Sequence, residues 1–156
     1  MNDARLESAH LERVVVVTGP TSSGKTTLAE KLLADALPQL AERLGVERFH
    51  GWAYASASKL RKYGVPLNDR LVLHYDFLRP LKKKAESYAG DPALQILFGA
   101  CHVSIVTIWT PPQRLKAQFC QNEMLVVKRQ DRMLLNARLL ALYEDPAEIL
   151  ALYRSW

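Results

Sequence analysis

Four consecutive valines lead directly into a loop framed by two glycines, and this junction at residues 14–26 constrains the fold more than any other part of the chain. β-Branched side chains lose freedom in a helix and pack well on a pleated sheet. An apolar run without polar alternation is typical of a strand that is covered on both faces, as in parallel sheets. The run therefore predicts a central strand at residues 13–18.

The loop after the valines, GPTSSGKT at residues 19–26, matches the phosphate-binding pattern G-x-x-x-x-G-K-[ST] at every fixed position. Glycine permits backbone conformations that a Cβ resists, so that successive N–H groups can point at phosphate oxygens. Lys25 can reach the terminal phosphates as a point charge, and the Thr26 hydroxyl can bind Mg²⁺. We therefore expect the nucleotide to be bound by Gly19, Pro20, Thr21, Ser22, Ser23, Gly24, Lys25, Thr26 and Thr27.

The residues after the loop have the spacing of an amphipathic helix. Leu28, Leu32 and Leu33 recur at helical intervals, with charged residues between them. This helix begins at Lys25 and is broken or ends near Pro38, because proline removes a backbone donor and clashes with the preceding turn. A strand that enters the loop and a helix that leaves it form the context in which the phosphate-binding motif occurs.

Two further strands are predicted from apolar runs. One lies at residues 71–75, where the run reaches Asp76, and the other lies at residues 102–110. The stretch between the first helix and these strands is harder to interpret. There, residues 46–50 predict a short strand and residues 53–62 predict a helix.

Two helix-start signals predict where helices begin in the rest of the chain. Asp91 and Asp145 are each followed by a proline, which is the pattern of an N-cap residue with proline at the first helical position. The first of these helices closes at Gly99, and a long helical tract occupies residues 113–143. Strands separated by helices imply parallel pairing through right-handed crossovers. We therefore predict an α/β fold in a single domain over residues 1–156, a three-layer sandwich with a small, mainly parallel sheet of roughly three to five strands.

The loop and its flanks, TGPTSSGKTTLAEKL, resemble the P-loop NTPase superfamily, and most closely its small kinase-like members. The resemblance covers residues 14–33 and is only architectural elsewhere. It implies ATP or GTP together with Mg²⁺, and the absence of the N-K-x-D signature of GTPases favours ATP. The loop also resembles that of adenine isopentenyl transferases, but the aspartate–serine pair that follows their first helix has no counterpart in FHGWAYASASKL.

Asp76 is the carboxylate that we expect beside the γ-phosphate, because ligands of open α/β sheets bind at the carboxyl ends of the strands. Phosphoryl transfer needs an acid there, either to hold the metal or to accept the proton of the attacking hydroxyl. The sequence leaves both roles of Asp76 open. Arg79 follows on the same loop and is expected to contact the anionic substrate. His74, on the same face of the strand, is interpreted as a hydrogen-bonded core residue.

A basic stretch in the long helical tract, KRQDRMLLNAR, places Arg129 and Arg132 on one face of a helix. In kinase-like P-loop proteins a basic helical lid closes over the phosphates, and this stretch resembles such a lid in its place and spacing. Arg129 and Arg132 therefore join Lys25 and Asp76 as candidate catalytic residues. A helix with a solvated basic face explains the same two arginines equally well.

Together these residues favour a phosphotransferase that moves the γ-phosphate of ATP to a hydroxyl of a small molecule, which the sequence does not identify. The alternative is a nucleotide-dependent switch or accessory ATPase that acts on a protein partner. A switch generally needs a γ-phosphate sensor on its third strand and a glutamate or glutamine to position water, and neither follows TIWT. A nucleotide binder that has lost its chemistry stays open as a third alternative.

The net charge and composition limit the classes of ligand and partner that this chain is expected to bind. The net charge of +5 favours an anionic ligand, but the basic residues are spread along the chain and no nucleic-acid recognition module accompanies them. Cys101 and Cys120 form neither a metal-binding nor a disulfide pattern and are expected to be buried thiols. The N-terminus does not resemble a secretory signal, and no apolar run approaches the ~18 residues of a membrane span. The sequence therefore predicts a cytoplasmic protein without membrane or nucleic-acid partners, and it leaves the oligomeric state open.

Overall fold

The computed structural model describes residues 10–78, 88, 90–122 and 130–156, and for residues 122 and 130–136 it describes only the backbone. The chain divides into two compact units. The first unit takes the chain up to Gly19 and from Gly24 to Thr107, and the second takes Pro20–Ser23 and Ile108–Trp156. The predicted single domain over residues 1–156 stays a prediction.

The first unit is built on a sheet of four parallel strands in the order β2-β3-β1-β4. The strands are β1 (Arg13–Gly19), β2 (Ala53–Ser56), β3 (Arg70–Asp76) and β4 (His102–Thr107). The four valines of β1 are fully buried, because this strand lies between β3 and β4. The predicted central strand and the predicted α/β class with a small parallel sheet are therefore confirmed.

Helices cover both faces of this sheet. The helices of the first unit are α1 (Lys25–Leu33), α2 (Pro38–Arg43), α3 (Ala57–Tyr63) and α4 (Pro92–Gln95), which continues into a 3₁₀ turn (Ile96–Gly99). Near the end of β3, Tyr75 donates a hydrogen bond to Asp91 at the start of α4, whereas Asp76 faces Lys25 of α1. Neighbouring residues of a strand point to opposite faces, so α1 and α4 lie on opposite sides of the sheet. This arrangement is consistent with the predicted three-layer sandwich.

The second unit is helical in its described residues, with α5 (Pro112–Asn122), α6 (Gln130–Tyr143) and α7 (Pro146–Ser155). The Asp145 carboxylate accepts hydrogen bonds from the backbone N–H groups of Ala147 and Glu148, which confirms it as the predicted N-cap. Within the predicted helical tract, residues 123–129 lie outside the described residues. None of the described helices combines the length and the apolarity needed to cross a membrane.

Two local predictions of secondary structure are wrong. Residues 46–50 form no strand, and residues 53–56 form β2 instead of the first turn of a helix. The sequence of β2, AYAS, contains good helix formers, but its pairing with β3 supplies the backbone hydrogen bonds of a sheet. Tertiary pairing here overrides local propensity.

The prediction of buried thiols is also wrong, because Cys101 is exposed and Cys120 is only half-buried. Cys101 immediately precedes β4, which is an edge strand with one side of its backbone unpaired by the described strands. The third predicted strand also ends earlier than expected, at Thr107 rather than Thr110.

Candidate functional site

Strand register brings the start of the glycine-framed loop and Asp76 together at one edge of the sheet. In the parallel pairing of β1 with β3, Gly19 is the register partner of Asp76. The backbone N–H of Phe77 donates to the carbonyl of Gly19 with an N···O distance of 3.3 Å. Both strands end here, at the carboxyl edge where open α/β sheets bind their ligands.

Lys25, the first residue of α1, directs its amine toward Asp76. The Lys25 side chain is 5% exposed, and its Nζ lies 3.7 Å from Oδ2 of Asp76, whose side chain is 22% exposed. This separation is longer than a direct hydrogen bond. Because a buried charge is costly unless it is paired, the Asp76 carboxylate offsets part of the cost of burying the Lys25 amine. The pair joins a buried cation to a carboxylate that solvent still reaches.

The other oxygen of Asp76 has a local structural role. Its Oδ1 accepts a hydrogen bond from the backbone N–H of Leu78 at 2.9 Å. Such a bond from an aspartate to the backbone two residues on stabilises a turn and orients the carboxylate. Asp76 therefore caps the turn after its strand and also presents Oδ2 to Lys25.

The start of α1 offers backbone donors to an anion. Gly24, the N-cap, has φ 92° and ψ 21° and makes no side-chain cap. A Cβ placed on Gly24 would meet no other heavy atom within 4 Å, so open space lies over this residue. The first N–H groups of a helix find no carbonyl within the helix, and its N-terminal end carries a partial positive charge. The geometry suits the close approach of a phosphate.

The oxygen donors at this edge fit Mg²⁺. Thr26 and Thr27 are exposed in the first turn of α1. Mg²⁺ usually takes one or two protein oxygens and completes its shell with water and substrate phosphates. In the described part of the chain, no three His, Cys, Asp or Glu side chains gather to hold a metal ion. Thr26 and Asp76 are the residues at this edge whose oxygens could hold such a metal.

A tyrosine and a histidine from neighbouring strands meet beside α1. The hydroxyl of Tyr54 on β2 and Nδ1 of His74 on β3 are 3.0 Å apart, so His74 is hydrogen-bonded as the sequence indicated. Burial raises the pKa of Tyr54, the charge of Glu30 raises it further, and the Thr26 side chain lowers it. Tyr54 is thus near the first turns of α1. No sequence signal identifies this contact, because its partners lie on different elements.

In the second unit, the middle of the loop is held by the last residue of α6. The Tyr143 hydroxyl donates a hydrogen bond to the backbone carbonyl of Thr21, with an O···O distance of 2.7 Å. Tyr143 is 2% exposed and packs edge-on against Phe119, with ring centroids 5.3 Å apart. No pattern in the sequence indicates this bond, which joins residues 122 positions apart.

The backbone of the same loop is strained at Ser22, which adopts a left-handed φ of 64°. This conformation costs a non-glycine residue roughly 1–2 kcal/mol. The side-chain hydroxyls of Ser22 and Ser23 are buried and find no hydrogen-bond partner among the described residues. Buried polar atoms are nearly always hydrogen-bonded in folded proteins. Non-glycine residues in such a left-handed conformation cluster in ligand-binding segments.

A second ion pair in the first unit is fully engaged in holding the fold. The Asp91 carboxylate is 3% exposed and receives Nε and Nη2 of Arg61, each at 3.1 Å. It also accepts hydrogen bonds from the Tyr75 hydroxyl at 2.9 Å and the Ala93 N–H at 3.0 Å. Burial alone would raise the pKa of Asp91, but the hydrogen bonds from Arg61, Ala93 and Tyr75 lower it below its usual value. The sequence identified Asp91 as an N-cap and missed its ion pair.

Three arginines of the predicted site are not placed by the structure. Arg79 and Arg129 lie outside the described residues. Arg132 belongs to α6, and only its backbone is described. Their roles as substrate and lid contacts stay predictions.

Comparisons of the chain with protein-family models, with curated proteins and with solved structures give no match. The resemblance to P-loop NTPases therefore depends on the loop motif and on its strand–loop–helix context. An argument for function has to be built from the residues of the site.

Proposed function

We propose that this protein binds Mg²⁺·ATP through residues 19–27 and transfers the γ-phosphate to a hydroxyl of a small-molecule acceptor. The observation that carries the proposal is the position of the buried Lys25 against Asp76 at the carboxyl edge of the sheet. Phosphoryl transfer needs a cation for the phosphates and an acid beside the attacking group. On this proposal the fold is a P-loop three-layer sandwich and the protein acts in the cytoplasm.

Lys25 is the proposed contact for the β- and γ-phosphate oxygens. Its flexible stem and three N–H donors allow the amine to turn from Asp76 to a triphosphate. The larger negative charge of the triphosphate attracts the amine more strongly, particularly where solvent is excluded. The N-terminal amides of α1 and the N–H groups of the loop add further donors. Mg²⁺, held by Thr26 and phosphate oxygens, would neutralise charge that develops on the phosphates.

Asp76 is the proposed general base. The Leu78 N–H fixes Oδ1, and the Asp76 side chain is 22% exposed, so that solvent reaches this carboxylate. The acceptor oxygen forms a bond to the γ-phosphorus while the bond from that phosphorus to the β–γ bridging oxygen breaks. The hydroxyl proton passes to the Asp76 carboxylate, and the products are the phosphorylated acceptor and ADP. Arg79, Arg129 and Arg132 stay predicted contacts of the transferred phosphate.

The test compares Asp76→Asn with the unaltered protein in an ADP-release assay with Mg²⁺·ATP and a panel of sugars, nucleosides, polyols and hydroxy acids. Asparagine keeps the Oδ1 acceptor for Leu78 but cannot accept the hydroxyl proton. We expect turnover with the true acceptor to fall by at least about 100-fold. Asp69→Asn is the matched control, because Asp69 is an exposed aspartate just before the opposite end of β3.

Full turnover by Asp76→Asn with the true acceptor would rule out the proposed base. If that variant instead bound Mg²⁺·ATP more weakly and needed a different Mg²⁺ concentration for activity, Asp76 would be a metal ligand and not the general base. ATP hydrolysis that no small hydroxyl compound stimulates and that a protein partner does stimulate would replace the phosphotransferase with the accessory ATPase.

A further inference from the structure

We propose that Tyr143 is a positioning residue of the phosphate-binding loop. Its hydroxyl holds the carbonyl of Thr21 and thereby directs the next backbone N–H, that of Ser22, toward the phosphates. This inference rests on the proposed function and assigns to the loop a residue that lies at the end of α6. Tyr143 itself does not touch the nucleotide.

The hydrogen bond from Tyr143 to Thr21 comes from a side chain that is held in place by its packing. Tyr143 is almost completely buried, and its hydroxyl is 2.7 Å from the Thr21 carbonyl oxygen. The Phe119 ring meets the Tyr143 ring edge-on, at an interplanar angle of 88°, and limits how far the phenol can move. A short hydrogen bond from a packed side chain to a loop carbonyl therefore restricts the orientation of one peptide unit.

The planarity of the peptide bond transmits this restriction to the next residue. In a trans peptide the carbonyl of Thr21 and the N–H of Ser22 share one plane and point in opposite directions. With the carbonyl directed at Tyr143, the Ser22 N–H points away from Tyr143. Successive N–H groups in turns that contain a left-handed residue form anion-binding concavities, and Ser22 has φ 64°.

A hydrogen bond within the loop defines the turn that contains Ser22. The Ser23 N–H donates a hydrogen bond to the Pro20 carbonyl at 3.2 Å and closes a four-residue turn. The peptide unit between Thr21 and Ser22 lies in the middle of this turn.

The experiment compares the unaltered protein with Tyr143→Phe, which removes the hydroxyl and keeps the ring against Phe119. Tyr153→Phe is the matched control, because the Tyr153 hydroxyl also donates to a backbone carbonyl of the second unit, that of Ile108 at 2.8 Å. Titration calorimetry measures the affinity for ATP and for inorganic triphosphate, both with Mg²⁺. Nuclear magnetic resonance of the Ser22 amide follows the same titrations.

We expect Tyr143→Phe to weaken both ligands by a similar factor of about five, because a peptide that samples other orientations presents its N–H for a smaller fraction of the time. The change in the chemical shift of the Ser22 amide at a given triphosphate concentration should also be smaller in this variant. Tyr153→Phe should bind as the unaltered protein does. The midpoint of thermal unfolding is measured for each variant. If Tyr143→Phe and Tyr153→Phe have similar midpoints, a loss of affinity in Tyr143→Phe alone reflects the position of the loop and not the stability of the protein.

Equal affinities of the unaltered protein and Tyr143→Phe would overturn the role of Tyr143 while leaving the proposed function in place. Equal losses of affinity in Tyr143→Phe and Tyr153→Phe, in proportion to their losses of stability, would also overturn it. If the unaltered protein bound neither ATP nor triphosphate, the proposed function itself would fail.

Discussion

Asp76 and Asp91 are both aspartates of the first unit and both face a basic side chain, but they are held in different ways. Asp91 is almost completely buried, and Arg61 meets it with two nitrogens at 3.1 Å. Asp76 is 22% exposed, and the Lys25 amine is 3.7 Å from its Oδ2. The first pair has the geometry of a bidentate arginine–carboxylate contact, whereas the second is a looser approach of a flexible amine.

The difference separates a tightly bonded ion pair from one whose members lie farther apart. The hydrogen bonds of the Asp91 carboxylate join α3, the end of β3 and the start of α4. Breaking its pair with Arg61 therefore disrupts a buried hydrogen-bond network. Lys25 and Asp76 lie at the carboxyl edge of the sheet, and their longer separation makes their attraction weaker. Charge alone does not distinguish these pairs, but the geometry around each carboxylate does.

The largest effect on stability should come from Asp91→Asn. Asparagine can still cap α4, but it leaves Arg61 without its anion, and breaking such a buried pair costs about 3 kcal/mol of unfolding free energy. Urea denaturation measures the loss. Asp145→Asn is the control, because Asp145 is an exposed N-cap aspartate of α7. A cost at Asp91 no larger than that at Asp145 would remove the distinction between the two ion pairs.

The contribution of Asp91 should also disappear in acid. The folded-state pKa of Asp91 lies below its usual value, so its stabilisation is present above the unfolded pKa of about 3.9 and is lost as the pH falls through the folded value. The difference in unfolding free energy between the unaltered protein and Asp91→Asn should therefore be constant above about pH 5 and shrink below about pH 4. A difference that grows in acid would mean that the carboxylate is not the stabilising form.

A smaller effect is expected from Asp76→Asn, at about 1 kcal/mol of unfolding free energy. The asparagine oxygen keeps the bond from Leu78, and the attraction that is lost is weaker than at Asp91, because the Lys25 amine is 3.7 Å from a carboxylate that is partly exposed. Urea denaturation in the same buffer gives the comparison with Asp91→Asn. A loss as large as that at Asp91 would show that Lys25 and Asp76 form a structural pair after all.

The sequence predicted those parts of the fold that have strong local signals. The valine run identified β1, the apolar run before Asp76 identified β3, and the aspartate–proline pairs located the starts of α4 and α7. The register partner of Gly19 follows from the simple rule that parallel strands end at one edge. For that reason the sequence could indicate Asp76 as a neighbour of the loop.

What the sequence missed depends on contacts between distant segments. β2 is a four-residue edge strand whose alanines favour a helix until β3 pairs with it. The bond from Tyr143 to Thr21 spans 122 positions, and that from Arg61 to Asp91 spans 30. No periodicity or cap pattern reports such pairs, because they are created by tertiary packing and not by local propensity.

The most direct test of the account is calorimetric titration of Mg²⁺·ATP into the unaltered protein, Lys25→Met and Lys31→Met. Lys31 is an exposed lysine in the last turn of the same helix and serves as the control. We expect saturable binding by the unaltered protein and by Lys31→Met, and an affinity about 100-fold weaker for Lys25→Met, because the charge-assisted bonds to the phosphates are lost. Equal affinity of Lys25→Met and the unaltered protein, or no binding by the unaltered protein, would contradict the claim that this loop holds a nucleotide.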